Sequence, residues 1–584
     1  MDPADLSELD LNAKRGSEGA TPTREAWIRG GGIALWLLLG TWLVMGAVSL
    51  SVYSWNQPGS LKDQVEGYYF HLAWGWWPSG ILILYVPFFG ALWLVRSGHR
   101  HLSIILAVSI LARLALLPSH LILETDPYRY LWDGRVLLGG ENPFRFAPAE
   151  VERALAPSIA QQPLDSRLQT LAAALERDTL HQEILSQVNN KKVPTIYFPT
   201  AQGAFALTSF LVTRLLTTQS EDEDFDWDRE VNRALLLWKT VLFAVEIAVL
   251  WVLTVSLPEF GARREWVAVY GWCPLILKEY MNSGHFDPIV ILLTLLAVRQ
   301  TFHPAPPRSP ETGPHGGLRR ALAGCLFGLG AGCKLYPLLL APLFIKRLGR
   351  IGVATLAGTL ILLFAPFAGI GIRLFSGFAA FSERWEFNSS LVALLEWIIS
   401  RCQDLLRGGP PLASGTEVSS DPLLHFAGVD FHMDAFLGAK LVCGVMLMGT
   451  LALLAWRTWR EQKEGVPRAD RLILHRCFLL LGVLLLASPV TDPWYVGWIV
   501  PFMCVFRNPA WLLLLFTQQV YYLYFWNDWD YFTLADLGWK GIPFNLEIAR
   551  PLEYLPFYAL LLYGWAWARK GWARARKAPE RTPG

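Results

Sequence analysis

Apolar runs of roughly 18 to 25 residues recur along this chain, and each is long enough to cross the hydrocarbon core of a bilayer, about 30 Å thick. Only 17% of the 584 residues are charged and 53% are hydrophobic, whereas soluble domains carry about 25% charged residues. The sequence therefore predicts an all-α polytopic membrane protein. Its formal net charge of +2 gives no reason to expect a nucleic-acid partner.

The first apolar run, at about 27–53, is longer than the roughly 7–15 residues of a secretory signal core. We therefore expect it to remain as a membrane anchor. The seven cysteines lie mostly inside apolar segments and show no disulfide or metal-binding spacing.

Short loops rich in Lys and Arg mark the cytoplasmic side of a membrane protein. Basic loops near 14–29, 96–101, 308–320, 346–350, 457–471 and 569–577 predict that both termini are cytoplasmic. The same rule predicts extracytoplasmic segments at about 124–197, 284–288, 369–433, 488–495 and 527–551. We expect about 11 to 14 crossings on the segment-length rule.

These segments divide the chain into consecutive regions. They are a cytoplasmic tail (1–26), two extra N-terminal transmembrane helices (27–101), a transmembrane core (102–505), C-terminal transmembrane helices (506–568) and a basic cytoplasmic tail (569–584).

Two helices are expected to be broken. If every apolar segment crosses the membrane once, residues 284–288 lie on the cytoplasmic side, but the basic loop after residue 301 requires the opposite side. One helix between 199 and 283 is therefore predicted to be short or re-entrant. In GAGCKLYPLLL a second break is predicted, with Lys334 and Tyr336 at its outer tip and Pro337 restarting the helix. Two charges in the middle of apolar segments, Arg113 and Glu246, could simply pair inside the bundle.

The long loop at 124–197 has helical patterns of its own. Helices are predicted at about 148–156 and 164–188, separated by Pro157 and Pro163. Leu164, Leu168, Leu171 and Leu175 repeat at helical spacing, so the second helix either lies on the membrane surface or packs on the bundle.

The densest cluster of charged residues opens this loop, in ETDPYRYLWDGR. Pro127 suits the first position of a helix with Asp126 as its N-cap, and Arg129 and Asp133 follow on the same face. One reading is purely structural, with a cap and an i,i+4 ion pair. In the other reading, a helix start with arginines binds phosphate while an aspartate accepts a proton.

The stretch DPYRYLWDGRVLLGGENPF resembles the first luminal loop of GT-C glycosyltransferases that use a polyprenyl-phosphate sugar. The resemblance is strongest to bacterial polyprenyl-phospho-mannose-dependent mannosyltransferases of the family 87 type. Further pieces match in the same order: IYFPTAQGAF (196–205), SGHFDP (283–288), GCKLYPLLLAP (332–342), ERWEFNSS (383–390) and SPVTDPWYVGW (488–498). The likeness covers about 102–505 and implies a GT-C fold with a catalytic first extracytoplasmic loop.

The resemblance also assigns expected roles. The catalytic base maps onto Asp126, with Asp133 as a rival. The donor phosphate would be bound by Arg129, Arg135, His285, Lys334 and Tyr336. The sugar or acceptor cleft would include Tyr128, Asp287, Trp385, Asn388, Trp494 and Tyr495. Alternatives stay open for several of these, since Lys334 could snorkel to the interface, Asp287 could cap a helix, and aromatic residues are common in interfacial belts.

The expected function is an inverting glycosyltransferase in a bacterial plasma membrane, with an extracytoplasmic site. It would move a sugar, mannose by family likeness, from a polyprenyl-phosphate donor to a lipid or glycan acceptor. Asp126 is followed by Pro127 and Tyr128 rather than by a D-x-D pattern, so no divalent metal or other cofactor is expected. The alternatives are a transporter or lipid-linked-sugar flippase, and a non-catalytic glycan-binding membrane subunit.

Overall fold

The computed structural model describes most of the chain and is almost entirely helical. The described residues are 22–55, 77–156, 165–302, 314–407, 424–426, 429–431, 434–464, 469–523 and 549–577. Two three-residue strands, Leu424–Phe426 and Val429–Phe431, pair antiparallel. Residues 1–21 of the predicted N-terminal tail (1–26), residues 578–584 of the predicted C-terminal tail (569–584) and most of the predicted segment 527–551 lie outside the described residues.

The helices follow the apolar pattern closely. They are α1 (Pro22–Trp55), α2 (Trp77–Arg96), α3 (Leu102–Leu116), α4 (Asp126–Leu138), α5 (Pro148–Leu155), α6 (Ser166–Leu175), α7 (Thr179–Ser186), α8 (Pro199–Leu215), α9 (Trp227–Ser256), α10 (Pro274–Asn282) and α11 (Asp287–Phe302). The second half comprises α12 (Pro314–Ala331), α13 (Tyr336–Leu340), α14 (Ile345–Phe364), α15 (Ser376–Arg384), α16 (Leu391–Arg407), α17 (Ala435–Glu464), α18 (Ala469–Ala487), α19 (Pro493–Val496), α20 (Val500–Met503), α21 (Pro509–Thr517) and α22 (Arg550–Lys577). A 3-10 helix, Ala365–Phe375, joins α14 to α15.

Several helices are long and apolar enough to cross a membrane. Four such stretches occur among the described residues: Gly32–Trp55, Trp227–Ser256, Tyr336–Ser382 and Ala435–Glu464. The bent pair α10–α11 would be a fifth if its two helices form one span. Their outward side chains are apolar, as at Leu362 and Val445, which are 75% and 74% exposed. A bilayer would cover such surfaces without loss, since lipid tails are as apolar as leucine. The number of 11 to 14 crossings stays a prediction.

The N-terminal helices share the main core. α1 packs on both α2 and α3, and the Trp36 ring meets the edge of Trp272, with 5.4 Å between ring centroids. Within this core, the Arg113 guanidinium lies 2.8 Å from a Glu246 carboxylate oxygen, and both side chains are fully buried. The expected pairing of these two mid-segment charges is confirmed, and it satisfies two charges that would be costly alone.

Both predicted helix breaks are present. α10 and α11 meet at 117°, and the chain turns at Gly284, whose φ of +73° lies in the left-handed region that favours glycine. The second break separates α12 from α13 and contains Lys334, with Pro337 in the first turn of α13. The two breaks bring polar side chains into the interior of an otherwise apolar bundle.

The loop after α4 holds three helices where the sequence predicted two. The predicted helix at 164–188 ends at Leu175 and restarts after Asp178, whose carboxylate accepts a hydrogen bond from the backbone N–H of His181 at 3.3 Å. An N-cap at this position favours a new helix start over continuation. Leu168, Leu171 and Leu175 are buried in the main core, so this face packs against protein.

Candidate functional site

A cavity of about 760 Å³ lies where both helix breaks approach the start of α4. Its walls come from seven separate parts of the chain: residues 123–130, 189–198, 286, 333–336, 378–387, 484–498 and 521–522. Such a volume suits a small-molecule group, since ligand sites typically measure about 300–1,000 Å³. Because the walls come from distant segments, only the folded chain forms this cavity.

The Asp126 carboxylate lines this cavity and is held by three donors. Its Oδ2 accepts hydrogen bonds from the hydroxyls of Tyr130 and Tyr197, both at 3.1 Å. Its Oδ1 accepts one from the Asn189 amide at 3.0 Å. The donors fix the orientation of the carboxylate and leave lone pairs directed at the cavity, the arrangement a positioned proton acceptor needs.

Asp126 is not the N-cap that the sequence predicted. The helix begins at Asp126 itself, with Thr125 as N-cap residue, and Glu124 Oε1 accepts the backbone N–H groups of Thr125 and Asp126 at 2.8 and 2.9 Å. Glu124 thus satisfies amides at the helix start, which leaves the Asp126 side chain free to point elsewhere.

Glu124 is a cavity residue that the sequence reasoning missed. Burial, together with the nearby Asp126 carboxylate, raises the pKa of Glu124 well above its ordinary range. Leu123, with φ of +51°, turns the chain so that Glu124 faces inward. An acidic residue two positions before a helix-starting aspartate at the end of an apolar run was the available signal.

Lys334 enters the cavity from the second break. Its Nζ lies 2.6 Å from Asp287 Oδ1, at the start of α11, and 4.4 to 5.1 Å from the ring centroids of Phe286, Tyr495 and Trp498. Trp498 Nε1 donates to the same Asp287 oxygen at 2.5 Å. Asp287 does not line the cavity, contrary to its expected place in the sugar cleft; it holds Lys334 in position.

Aromatic rings form much of the remaining wall. Tyr336, Trp385, Trp494 and Tyr495, all predicted from the motifs, line the cavity. The Tyr336 ring stacks on Trp498 with 4.8 Å between centroids. Apolar walls beside a few fixed polar groups are typical of sites that bind small molecules.

His285 lies behind this wall. Its imidazole is fully buried and lies against the Trp494 ring, with 4.0 Å between ring centroids and an interplanar angle of 34°. Its Nε2 is 3.1 Å from a Glu124 oxygen and 3.5 Å from a Glu279 oxygen. His285 does not line the cavity, so the structure places it in contact with Glu124 rather than at an expected phosphate position.

Four further predicted residues do not line the cavity. Arg135 pairs with Asp178 at 2.7 Å, because α7 packs against α4 and brings that carboxylate to it. Asp133 is buried and accepts from Arg129 Nε at 2.8 Å. Tyr128 is buried in the main core. The Asn388 amide donates to Glu553 at 3.0 Å.

Arg129 itself lines the cavity. Besides its contact with Asp133, it donates to the Val193 carbonyl at 3.1 Å. The ion pair that the structural reading of the motif expected is therefore present. The hydrogen bond to Val193 ties α4 to the segment that carries Tyr197.

Asp492 is a further carboxyl group in the cavity wall that the sequence reasoning did not single out. Burial raises the pKa of Asp492 to about 8, with the Asp126 charge contributing, although a hydrogen bond to the Tyr521 hydroxyl opposes the shift. At neutral pH this carboxyl group is mostly protonated, so it can donate a hydrogen bond into the cavity.

Within the part of the chain that the structure describes, no group of three or more His, Cys, Asp or Glu side chains could hold a metal ion. Whether a reaction here needs a divalent ion stays a prediction. The chain matches no family model, no curated protein and no solved structure. The resemblance to GT-C glycosyltransferases therefore rests on the sequence motifs alone.

Proposed function

We propose that this protein is an integral-membrane inverting glycosyltransferase that uses a polyprenyl-phosphate sugar. One observation carries the proposal: a fixed carboxylate, Asp126, and a partly buried ammonium group, Lys334, line the same cavity. Glycosyl transfer from a phosphate-linked sugar needs a proton acceptor for the incoming hydroxyl and a positive charge for the departing phosphate.

Asp126 is the proposed base. It would take the proton from an acceptor hydroxyl, whose oxygen then attacks the anomeric carbon opposite the phosphate and inverts its configuration. Tyr130, Tyr197 and Asn189 restrict the carboxylate to one orientation, so little reorganisation is needed at the moment of reaction. We favour Asp126 over Asp133 as the base because the Asp133 carboxylate is buried against Arg129.

Lys334 is the proposed phosphate partner. As the bond to the sugar breaks, negative charge grows on the polyprenyl phosphate, and a nearby ammonium group in a site shielded from water stabilises it strongly. Phosphate leaves readily once its charge is neutralised, so a second carboxyl group acting as acid is not required, unlike in glycosidases. The aromatic rings around Lys334 supply faces for the sugar and the first prenyl units.

The outer surface supports a lipid-linked donor. The apolar helices would place the cavity at the edge of a bilayer, where a polyprenyl chain can remain in the lipid while its phosphosugar enters. The proposed topology keeps both termini in the cytoplasm and the cavity on the extracytoplasmic side of a bacterial plasma membrane. Mannose remains the favoured sugar by family likeness.

A transporter or lipid-linked-sugar flippase is the second candidate, because of a specific observation. Two broken helices face one another, and their breaks are joined by Lys334 and Asp287. Broken helices with charges at the breaks are typical of transporter substrate sites. Asp126 favours the transferase, since it lies outside both breaks on a separate helix and has its own three hydrogen-bond donors.

The deciding experiment uses purified protein in liposomes with a panel of polyprenyl-phosphate sugars and a membrane lipid extract as acceptor. We expect release of polyprenyl phosphate together with labelled sugar in the extract, and no release by Asp126→Asn. Movement of intact donor between leaflets without cleavage would support the flippase instead. Donor binding with neither cleavage nor movement, for every sugar, would support a non-catalytic binding subunit.

A further inference from the structure

One short turn contacts both the base side and the phosphate side of the reaction cavity. It joins α10 to α11 at residues 285–287, and we call it the bridging turn. Gly284, just before it, has a φ of +73°, and a Cβ at Gly284 would lie 3.2 Å from Pro127 Cγ in the first turn of α4. The bridging turn therefore begins directly against the helix start that carries Asp126.

His285 contacts the base side from behind. Its Nε2 lies 3.1 Å from Glu124 Oε2, and a Glu279 oxygen is further away at 3.5 Å. Glu124 Oε1 in turn accepts the backbone N–H groups of Thr125 and Asp126. The side chains of His285 and Glu124 are 0% and 9% exposed, so water does not compete for these contacts. The Glu124 carboxyl group thus connects the imidazole to the backbone of the proposed base.

Phe286 contacts both sides at once. Its ring centroid is 5.5 Å from that of Tyr130 and 5.4 Å from that of Tyr197, and both contacts are edge-on. These are the two tyrosines whose hydroxyls donate to Asp126. Lys334 Nζ lies 4.7 Å from the centroid of the same Phe286 ring. The ring is 1% exposed, and close-packed interiors transmit small displacements instead of absorbing them.

Asp287 completes the link, because its Oδ1 lies 2.6 Å from Lys334 Nζ. Three consecutive residues thus contact, in order, the carboxyl group behind the base, the tyrosines that orient the base, and the proposed phosphate partner. Planar peptide bonds leave consecutive residues of a packed turn little freedom to move relative to one another. The contacts at the two ends of the turn are therefore held at a fixed separation.

We propose that His285 and Phe286 are positioning residues of the transfer reaction, and that the bridging turn sets the separation between the base and the phosphate partner. The inference rests on the proposed function. His285 acts through Glu124, and Phe286 acts through the two tyrosines. Transfer needs the attacking oxygen, the anomeric carbon and the phosphate in line, so a displacement of about 1 Å slows it by about 10²-fold. A phosphate bound at Lys334 should also steady the helix start at the other end of the turn.

The first test needs no turnover. Hydrogen–deuterium exchange of the purified full-length protein in detergent reports on the peptide that contains the Thr125 and Asp126 amides. We expect His285→Leu to speed exchange there at least about threefold, because Glu124 loses the contact that holds its carboxyl group. His181→Leu is the matched control, since His181 is a second fully buried histidine beside a carboxylate, and it should leave this peptide unchanged.

Farnesyl phosphate tests the coupling, because it has the charge and the first prenyl units of the proposed leaving group. At saturation it should slow exchange at Thr125 and Asp126 in the wild type, and Phe286→Leu should lose this protection. Phe327→Leu is the matched control and should keep it, since Phe327 is fully buried against Phe344 and does not line the cavity. Protection that is absent from the wild type, or equal in Phe286→Leu, would overturn the coupling.

Turnover distinguishes positioning from packing. His285→Leu and Phe286→Leu should each lower kcat about tenfold and leave donor affinity within about twofold, because the geometry of the base is changed and donor binding is not. His285→Gln should recover part of the rate, since its amide can still bond to Glu124. A raised donor KM with an unchanged kcat would overturn the positioning role.

The double variant Phe286→Leu with Tyr197→Phe shows whether Phe286 acts through Tyr197. It should be less than about thirtyfold slower than the wild type, whereas independent effects of about tenfold each would multiply to about a hundredfold. Melting temperatures establish that each variant is folded.

The two assays separate this inference from the proposed function. A wild type that transfers no sugar would overturn the proposed function, while the exchange data would still decide whether the bridging turn holds the Asp126 segment. Unchanged exchange in His285→Leu together with a wild-type kcat would overturn this inference and leave the transferase proposal standing.

Discussion

Lys334 Nζ lies 2.6 Å from Asp287 Oδ1, and this ion pair joins the two helix breaks of the bundle. The Asp287 side chain is 1% exposed, and that of Lys334 is 14% exposed. The more accessible end of the pair is therefore the cation, on the cavity side. This arrangement suits a lysine that neutralises an incoming anion while its own counter-ion stays in the protein interior.

Lys334→Met should slow sugar transfer by about 10²–10³, because the charge that stabilises the departing phosphate is removed. Lys334→Arg should recover part of the rate, since charge returns with a different reach. Turnover of polyprenyl-phosphate sugar and donor affinity measure both effects. A folded Lys334→Met protein with normal donor affinity and turnover would remove Lys334 from the site.

Stability separates this effect from simple unfolding. Lys334→Met leaves the Asp287 carboxylate buried without its ion-pair partner, which costs on the order of 3–5 kcal/mol. Adding Asp287→Asn removes that uncompensated charge and should restore much of the melting temperature. If the double variant regains stability but not turnover, the loss of activity belongs to the missing ammonium group.

Asp126→Asn should abolish transfer and leave donor binding nearly intact, because an amide cannot accept the acceptor's proton. Asp133→Asn is the matched control on the same helix. It should lower the melting temperature, since Arg129 loses its buried partner, and retain transfer in the folded fraction. Activity above about a tenth of the wild type in Asp126→Asn, with a dead Asp133→Asn, would reverse the assignment of the base.

Local patterns predicted the helices and their breaks because they depend on neighbouring residues. Apolar length set the helix positions, and Pro337 marked the second break. The pairing of Arg113 with Glu246 followed from the cost of charges in apolar segments. The direction of each side chain at the site was harder to predict, because it depends on partners far along the chain.

Arg135 shows the reason most clearly. In the sequence it belongs to the same motif as Asp126, but its partner Asp178 lies 43 positions away. No sequence pattern predicts that α7, which begins after Asp178, packs against α4. His285 likewise looked like a cavity residue, and the turn at Gly284 directs it behind Trp494. The resemblance could order the motifs along the chain but could not show which side chains face the cavity.

Tyr197→Phe should slow transfer by about tenfold with little change in donor affinity. It removes one of the two hydroxyls that donate to Asp126 Oδ2, and a carboxylate that can rotate presents its lone pair less often to the substrate. Tyr197→Phe combined with Tyr130→Phe should be slower than either single variant. Turnover under saturating donor is the measurement, and a double variant at the wild-type rate would mean that these donors do not orient the base.

Asp492 predicts a pH dependence of stability. Its pKa is about 8 in the folded protein and about 3.9 in an unfolded chain, so between these values the folded state holds a proton that the unfolded state has released. Stability from this group is therefore fully present below about pH 4 and is lost as the pH rises towards 8.

Asp492→Asn replaces this carboxyl group by an amide, which stays neutral at every pH. The melting temperature of the wild type should therefore fall relative to that of Asp492→Asn as the pH rises from about 5 to about 8. The exposed aspartate Asp222 supplies the control, and Asp222→Asn should keep the wild-type slope. The measurement is a set of melting curves in one detergent at fixed ionic strength. A difference between wild type and Asp492→Asn that does not change with pH would mean that Asp492 is charged throughout this range and cannot donate a hydrogen bond into the cavity.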